Sequence, residues 1–112
     1  MLTLTGVEAA LKAIAAPRRR QILTLVRDGE LSAGEIAAHF DVTRPAVSQH
    51  LNVLKEAGLV NERRNGTRRL YRARPEGLVP IKSFLEGFWD DRLEVLKVEA
   101  EREERKKRGS NN

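Results

Sequence analysis

The stretch LSAGEIAAHFDVTRPAVSQHLNVLKEAGLV, residues 31–60, decides the fold of this chain. Ser32 and Glu35 match the S/T-x-x-E capping box, which predicts the start of a short helix. A tight connector follows, and a second helix is predicted over residues 44–57 because its apolar residues recur at helical spacing. The stretch therefore predicts two helices joined by a short turn, a helix-turn-helix over residues 32–58.

The second predicted helix separates an apolar face from a polar one. Val47, Leu51 and Leu54 fall on one stripe, which we expect to be buried. The opposite face is polar and nearly uncharged in its first two turns, a choice that suits hydrogen bonds to base edges better than solvation alone. This outward face carries Pro45, Ser48, Gln49 and Asn52.

The residues after this helix predict a β-hairpin. Asn65 and Gly66 form a strong two-residue turn signal. A turn centred on them predicts that Val60 lies opposite Tyr71, with both side chains on the core side of a two-stranded ribbon. We call residues 59–73 the wing.

The charge of the chain is clustered rather than evenly mixed. The sequence has a formal net charge of +5 and a pI of about 10.1. Residues 59–74 hold six arginines against the single acid Glu62, whereas residues 82–104 hold four bases and eight acids. A basic ribbon of this kind favours phosphate binding and predicts double-stranded DNA as the partner. The basic run that follows belongs to a predicted flexible tail, residues 106–112.

Composition excludes several classes of protein. A length of 112 residues predicts one domain with one core, spanning residues 1–112. The absence of cysteine excludes disulfides and thiol chemistry. No signal peptide or long apolar run is found, so we expect a small cytosolic domain. No nucleophile–base pair or glycine-rich phosphate loop is found, which argues against an enzyme.

Two further helices are predicted at the ends of the chain, over residues 5–16 and 80–105. The first opens with a capping box at Thr5 and Glu8. The second would be about 39 Å long at about 1.5 Å per residue, longer than a small core needs. The simplest explanation for a helix of this length is that it packs against a second copy of the chain in a homodimer. The predicted interface residues are Val7, Leu11, Ile14, Phe84, Leu85, Phe88, Trp89, Leu93 and Leu96.

Together these segments resemble the ArsR-type (arsenic-repressor-like) winged helix-turn-helix transcriptional regulators. The resemblance spans roughly residues 8–74, and RPAVSQHLNVLKEAGLV from Arg44 is its most specific part. FLEGFWDDRLEVLK, residues 84–97, resembles the dimerisation helix of a branch without metal-binding motifs. The resemblance implies a mostly α fold with a small β-hairpin: a winged helix-turn-helix with long N- and C-terminal dimerisation helices.

The resemblance also implies that the start of the second helix and the wing contact DNA. Gln49 can form a bidentate pair with adenine, and Ser48 can reach a base or a phosphate. His50 lies beside the apolar stripe, so it either packs internally or contacts a phosphate. The predicted DNA-binding residues are Arg44, Pro45, Ser48, Gln49, His50, Asn52, Arg63, Arg64, Thr67, Arg68 and Arg69.

The chain departs from the metal-sensing members of that family. Residues 30–35 carry serine and glycine where those members have thiols, and no histidine accompanies Asp90, Asp91 and Glu94 on the last helix. Sensing of soft metals is therefore disfavoured, and no cofactor is predicted. A solvated acidic face is a better interpretation of these carboxylates than a weak hard-cation site.

Two local questions stay open from sequence. Residues 18–20, three arginines, begin a helix whose dipole disfavours cations. They either bind a phosphate together with the helix N-terminus or pair with acids such as Asp90 or Asp91. Phe84, Phe88 and Trp89 either form dimer core or line a small apolar pocket for an effector of unknown identity.

The sequence as a whole predicts a dimeric, sequence-specific DNA-binding transcriptional regulator. We expect a repressor, because occupying a promoter needs no further chemistry. An isologous dimer predicts an inverted-repeat operator. The alternative is a winged-helix interaction module whose basic ribbon binds an acidic protein.

Overall fold

The computed structural model describes the backbone of residues 6–110 and the side chains of residues 6–89 and 96–106. The described residues divide into two compact units, the first ending at Ile81 and the second beginning at Lys82. Along the chain, the elements are α1 (Gly6–Ile14), α2 (Pro17–Leu25), β1 (Leu31–Ser32), α3 (Ala33–Phe40), α4 (Arg44–Glu56), β2 (Val60–Asn65), β3 (Arg68–Ala73), a 3-10 turn (Pro75–Leu78) and α5 (Val79–Ser110). None of the helices in this described part is long and apolar enough to cross a membrane.

Capping side chains set the start of the two central helices. The Oγ of Ser32 accepts a hydrogen bond from the Glu35 amide at 3.2 Å, and the Glu35 carboxylate accepts one from the Ser32 amide at 3.0 Å. Thr43 caps α4 through a single bond, in which its Oγ1 accepts from the amide of Ala46 at 3.3 Å. The predicted helix-turn-helix is therefore confirmed. The capping box predicted at Thr5 lies outside the described residues.

The core of the first unit is formed by the four helices α1, α2, α3 and α4 together with the inner face of the sheet. Val47, Leu51 and Leu54 are fully buried, as their spacing predicts, and they pack with Ile22 and Ile36. Burying each such side chain contributes about 1.5–3 kcal/mol. No polar or charged side chain is buried among the described residues. Because its apolar stripe is fixed in this core, α4 presents its polar face outward.

The sheet has three strands rather than the two that the sequence predicts. The strand order is β1-β3-β2, and both pairings are antiparallel. Leu31 pairs with Tyr71 and Ser32 with Leu70. A strand of two residues has no detectable alternation of apolar and polar side chains, which is why the sequence did not reveal β1. The winged helix-turn-helix architecture itself is confirmed.

The hairpin register predicted from the turn signal is wrong by two residues. Val60 pairs with Ala73, and Asn65 pairs with Arg68 across a loop of two residues, Gly66 and Thr67. Only the first loop residue has a positive φ, +66°, which is the pattern of a type II′ turn with glycine leading. In this turn Asn65 does not need to adopt a left-handed conformation. A two-residue shift preserves the faces, so Val60 and Tyr71 are both buried as predicted.

The 3-10 turn after β3 brings two backbone segments into close approach. A Cβ atom built on Gly77 would lie 2.1 Å from the carbonyl oxygen of Gly58, at the end of α4. Gly58 itself has a φ of +76°, which fits its predicted place after the helix end. This contact ties the C-terminal end of α4 to the chain that follows the wing.

Helix α5 is longer than predicted. It starts one residue earlier and ends five residues later, and its 32 residues span about 48 Å. Phe84, Leu85, Phe88, Trp89 and Leu96 are all exposed along it. The predicted interface residue Leu93 and the acids Asp90, Asp91 and Glu94 lie outside the described side chains.

Candidate nucleic-acid interface

The outward face of α4 holds the side chains predicted to read DNA. Arg44, Pro45, Gln49 and Asn52 are exposed, and Ser48 is half-buried. Each of them stands on a helix whose opposite face is fixed in the core, so their positions relative to one another are set by helix geometry. An α-helix with a free polar face of this kind fits the major groove of B-form DNA, which is about 12 Å wide.

A groove lies between α4 and the wing. Its volume is about 600 Å³, and its floor includes the start of α3 at Ser32, Ala33 and Gly34. It brings together predicted DNA-binding side chains from two separate segments of the chain; these are Arg44, Ser48, Thr67, Arg68 and Arg69. Gln49, Asn52, Arg63 and Arg64 do not line the groove.

The wing arginines divide between the two faces of the hairpin. Because side chains alternate along a strand, the observed register puts Arg64 and Arg69 on the face that carries Glu62. Arg63 and Arg68 lie on the other face. The sequence alone does not distinguish these two sets of cations, and the structure shows that their surroundings differ.

Two wing arginines are held by acids just before α3 and in its first turn. Arg63 binds the Glu30 carboxylate in a bidentate pair, with Nε at 2.8 Å and a terminal guanidinium nitrogen at 2.9 Å. Arg68 pairs with Glu35, the capping-box carboxylate of α3. The hydrogen bond from Arg63 lowers the pKa of Glu30. The backbone and side chain of Ser32, followed by Arg68, lower the pKa of Glu35.

These two acids are functional neighbours that sequence reasoning missed. Counting charges along residues 59–74 finds only Glu62, since Glu30 and Glu35 each lie 33 residues before the arginine they bind. The pairing of β1 with β3 brings them to the wing. Only a prediction of β1 would have placed these acids beside the wing, and a strand of two residues is too short to be recognised from sequence.

The opposite face of the wing is less fully neutralised. Glu62 accepts a hydrogen bond from Lys55 at 3.1 Å and lies 3.8 Å from Arg69, and the bond from Lys55 is the main cause of its lowered pKa. The guanidinium groups of Arg44 and Arg64 make no ion pair or hydrogen bond within the part of the chain that the structure describes. They are cations available to phosphates.

His50 packs against arginine instead of projecting outward. Its Nδ1 lies 3.4 Å from the guanidinium of Arg19. Since arginine can only donate, this contact favours the neutral ring with Nδ1 as the acceptor. Burial, and then the positive charges of Arg19 and Arg18, lower the pKa of His50. Of the two sequence interpretations, this arrangement favours packing, with arginine as the neighbour. A phosphate contact for His50 stays a prediction.

The arginines at the start of α2 cap the preceding helix. Arg19 donates to the carbonyl oxygens of Ala13 at 2.6 Å and Lys12 at 3.2 Å. Arg20 donates to those of Ile14 at 2.6 Å and Ala15 at 3.2 Å. These carbonyls form the C-terminal end of α1, where the helix dipole favours cations. The sequence did not predict this capping. The predicted phosphate contact stays a prediction, and the alternative of pairing with Asp90 or Asp91 concerns side chains outside the described residues.

The lowered pKa of His50 predicts a pH dependence of stability. Because this pKa is depressed in the folded chain, the unfolded chain takes up a proton near pH 6.5 more readily than the folded chain does. The free energy of unfolding should therefore fall as pH decreases from 7.5 to 5.5. Glu30, Glu35 and Glu62 stay ionised across this window, because each pKa lies below 4.5.

The test is urea unfolding at both pH values for the wild type and for His50→Gln. Glutamine keeps an acceptor for Arg19 but does not titrate, so the variant should show a smaller fall in stability. An identical fall in both proteins would contradict the assignment to His50.

Within the described side chains, no group of three or more His, Cys, Asp or Glu residues is arranged to hold a metal ion. The candidate site combines hydrogen-bonding side chains on α4 with guanidinium groups on α4 and the wing. Such a set can bind a polyanion and read the edges of bases.

Comparison with known proteins finds close relatives. The family described as "Bacterial regulatory protein, arsR family" matches residues 16–62. The HTH-type transcriptional regulator Rv2034 of Mycobacterium tuberculosis is 45% identical over 89 residues, which cover 80% of this chain and 83% of that protein. The transcriptional repressor SdpR of Bacillus subtilis is 47% identical over 55 residues, or 49% of this chain and 61% of that protein.

A solved structure agrees with these matches. It is the solution structure of the homodimeric winged helix-turn-helix DNA-binding domain of Mb0332 from Mycobacterium bovis, described as a possible ArsR-family transcriptional regulator. It is 36% identical and covers 80% of this chain and 83% of that one, with a TM-score of 0.62.

Proposed function

This chain belongs to the arsR family of bacterial regulatory proteins, and from that premise we propose that it is a homodimeric repressor that binds an inverted-repeat operator. Its family consists of transcriptional regulators rather than enzymes. We place it in the cytoplasm of a bacterium or archaeon, associated with the nucleoid. Its effector, if it has one, is left open.

The observation that carries this proposal is the groove between α4 and the wing. Arg44 and Ser48 reach it from the helix, and Arg68 and Arg69 reach it from the hairpin, so one phosphate backbone could meet both elements. With α4 in the major groove, Gln49 is the side chain suited to pair with adenine. The cations would fix the register of the protein on the duplex, and the polar face of α4 would supply the sequence preference.

A homodimer is supported by the exposed apolar side chains of the two terminal helices. Phe88 is 68% exposed and packs edge to face on Phe84, with ring centroids 5.2 Å apart, while Leu11 of α1 is 42% exposed. Apolar groups this large rarely stay in water on a folded protein unless a partner covers them. The homodimeric state of the Mb0332 domain supports the same assignment. Two-fold symmetry would then place half-sites about 34 Å apart, one turn of DNA.

Replacing both Phe88 and Trp89 with serine should convert the dimer to a monomer. The lost apolar contact removes the driving force for association, and each remaining monomer binds one half-site without the avidity of two. Affinity for an inverted-repeat site should then fall about 100-fold or more. Sedimentation velocity measures the first effect and a gel-shift titration measures the second.

The control is a double serine variant at Glu101 and Arg105, on the opposite side of α5 at about 100° per residue. It keeps the number of substitutions and should leave the dimer intact. A Phe88→Ser, Trp89→Ser variant that still sediments as a dimer would refute this interface.

The experiment that tests the function is a binding titration across salt. Random-sequence duplexes and genomic fragments, including the promoter of the protein's own gene, are compared between 50 and 200 mM salt. We expect tight binding to a subset of fragments, a weaker affinity for all others and a steep loss of both with salt. Absent or salt-insensitive binding would refute the proposal and favour the interaction module that binds an acidic protein.

A further inference from the structure

We propose that Glu30 and Glu35 lower the affinity of the wing for DNA of any sequence. Each carboxylate binds one wing arginine and so competes with the DNA phosphates for it. The inference rests on the proposed function, since it concerns the same wing. It assigns a role to two acids that are not among the predicted DNA-binding residues.

The pair between Glu30 and Arg63 has the geometry of a competitor for phosphate. Both carboxylate oxygens of Glu30 accept from the guanidinium, at 2.8 and 2.9 Å, so one of the two-donor edges that could bind a phosphate is occupied. The Arg63 side chain is 57% exposed and Glu30 is 29% exposed. The cation is therefore the more accessible partner of the pair and can be reached from solvent.

The pair between Glu35 and Arg68 is anchored in a different way. The same Glu35 oxygen that meets Arg68 also accepts the Ser32 amide at 3.0 Å, and this bond belongs to the capping box of α3. The carboxylate therefore cannot follow Arg68 away from the protein without uncapping the helix. A phosphate that binds Arg68 in the groove it lines would compete with Glu35 for the charge of the same guanidinium.

The wing and the start of α4 thus contain two kinds of cation. Arg63 and Arg68 are neutralised by acids from outside the hairpin, whereas Arg44 and Arg64 have no acid bound to them among the described residues. Sequence-independent binding depends on the number of phosphates neutralised. An arginine that stays with its carboxylate neutralises none, so the two acids lower this part of the affinity.

The test compares wild type with the double variant Glu30→Gln, Glu35→Gln on a random-sequence duplex. Glutamine at position 35 preserves the capping box, because Gln serves at the third helical position as Glu does. The matched control is the double variant Glu76→Gln, Glu86→Gln, which removes the same two charges from exposed pairs with Arg74 and Lys82. Thermal midpoints are measured for all three proteins.

With two more phosphates neutralised, the slope of log affinity against log salt should steepen by about 1.8, at about 0.9 per phosphate. Affinity at 50 mM salt should rise about 10-fold, and the control should change by less than about 2-fold. A double variant with the slope and affinity of the control would overturn this inference and leave the proposed function standing. A wild type that binds no DNA at any salt would overturn the proposed function instead.

If the double variant fails to fold, each single variant is measured in its place. Each should steepen the slope by about 0.9. Two single variants with the wild-type slope would also overturn the inference.

Discussion

Replacing Gln49 with alanine is expected to reduce the preference of the protein for its operator over random DNA by about 10- to 100-fold. The side chain is exposed on the polar face of α4, and a bidentate pair with a base contributes about 1–3 kcal/mol of discrimination. Affinity for random DNA should change little, since the guanidinium groups remain. The measurement is a pair of titrations, one on an operator fragment and one on a scrambled duplex, at the same salt concentration.

Val53→Ala provides the control for this substitution. Val53 is also exposed on α4, but it lines a groove beside Ala9 and Lys12 of α1 instead of the groove beside the wing. The control should keep both affinities within about 2-fold of wild type. An unchanged preference in Gln49→Ala would show that α4 reads DNA through other side chains.

Replacing Gly77 with alanine should cost about 3 kcal/mol of folding stability. The added methyl group would meet the carbonyl oxygen of Gly58 at 2.1 Å, and a backbone atom cannot rotate away as the end of a side chain can. The expected loss is at the upper end of the range for overpacking, and it corresponds to a fall in Tm of about 12 °C or more. Thermal unfolding at fixed protein concentration measures it.

Gly29→Ala is the matched control, because a Cβ atom at Gly29 meets nothing within 4 Å. Its stability should stay within about 0.5 kcal/mol of wild type. A Gly77→Ala protein with the Tm of this control would mean that the two backbone segments separate at little cost.

Features encoded within a few residues were predictable from the sequence. Ser32 with Glu35, and Thr43 before Pro45, marked the starts of α3 and α4, and the spacing of Val47 and Leu51 marked the buried face. These signals act through neighbouring backbone amides and through helix geometry, so no other part of the chain is needed to interpret them. The same helical spacing also predicted which residues lie on the outward face of α4.

Features that depend on distant residues were not predictable. The hairpin register was wrong because Gly66 can occupy either central position of a two-residue turn, and only the pairing of the strands selects one. The cap that Arg19 provides for α1, and the acids bound to Arg63 and Arg68, depend on segments that folding brings together. Counting charge along the chain therefore overstated how many wing cations are free.

The wholly apolar character of the described core has a practical consequence for purification and assay. Salt weakens ion pairs at the surface but does not weaken the burial of hydrocarbon, so molar salt should strip bound nucleic acid while the domain stays folded. A preparation washed in this way would begin every titration free of host DNA, and release at high ionic strength would report on the interface rather than on denaturation.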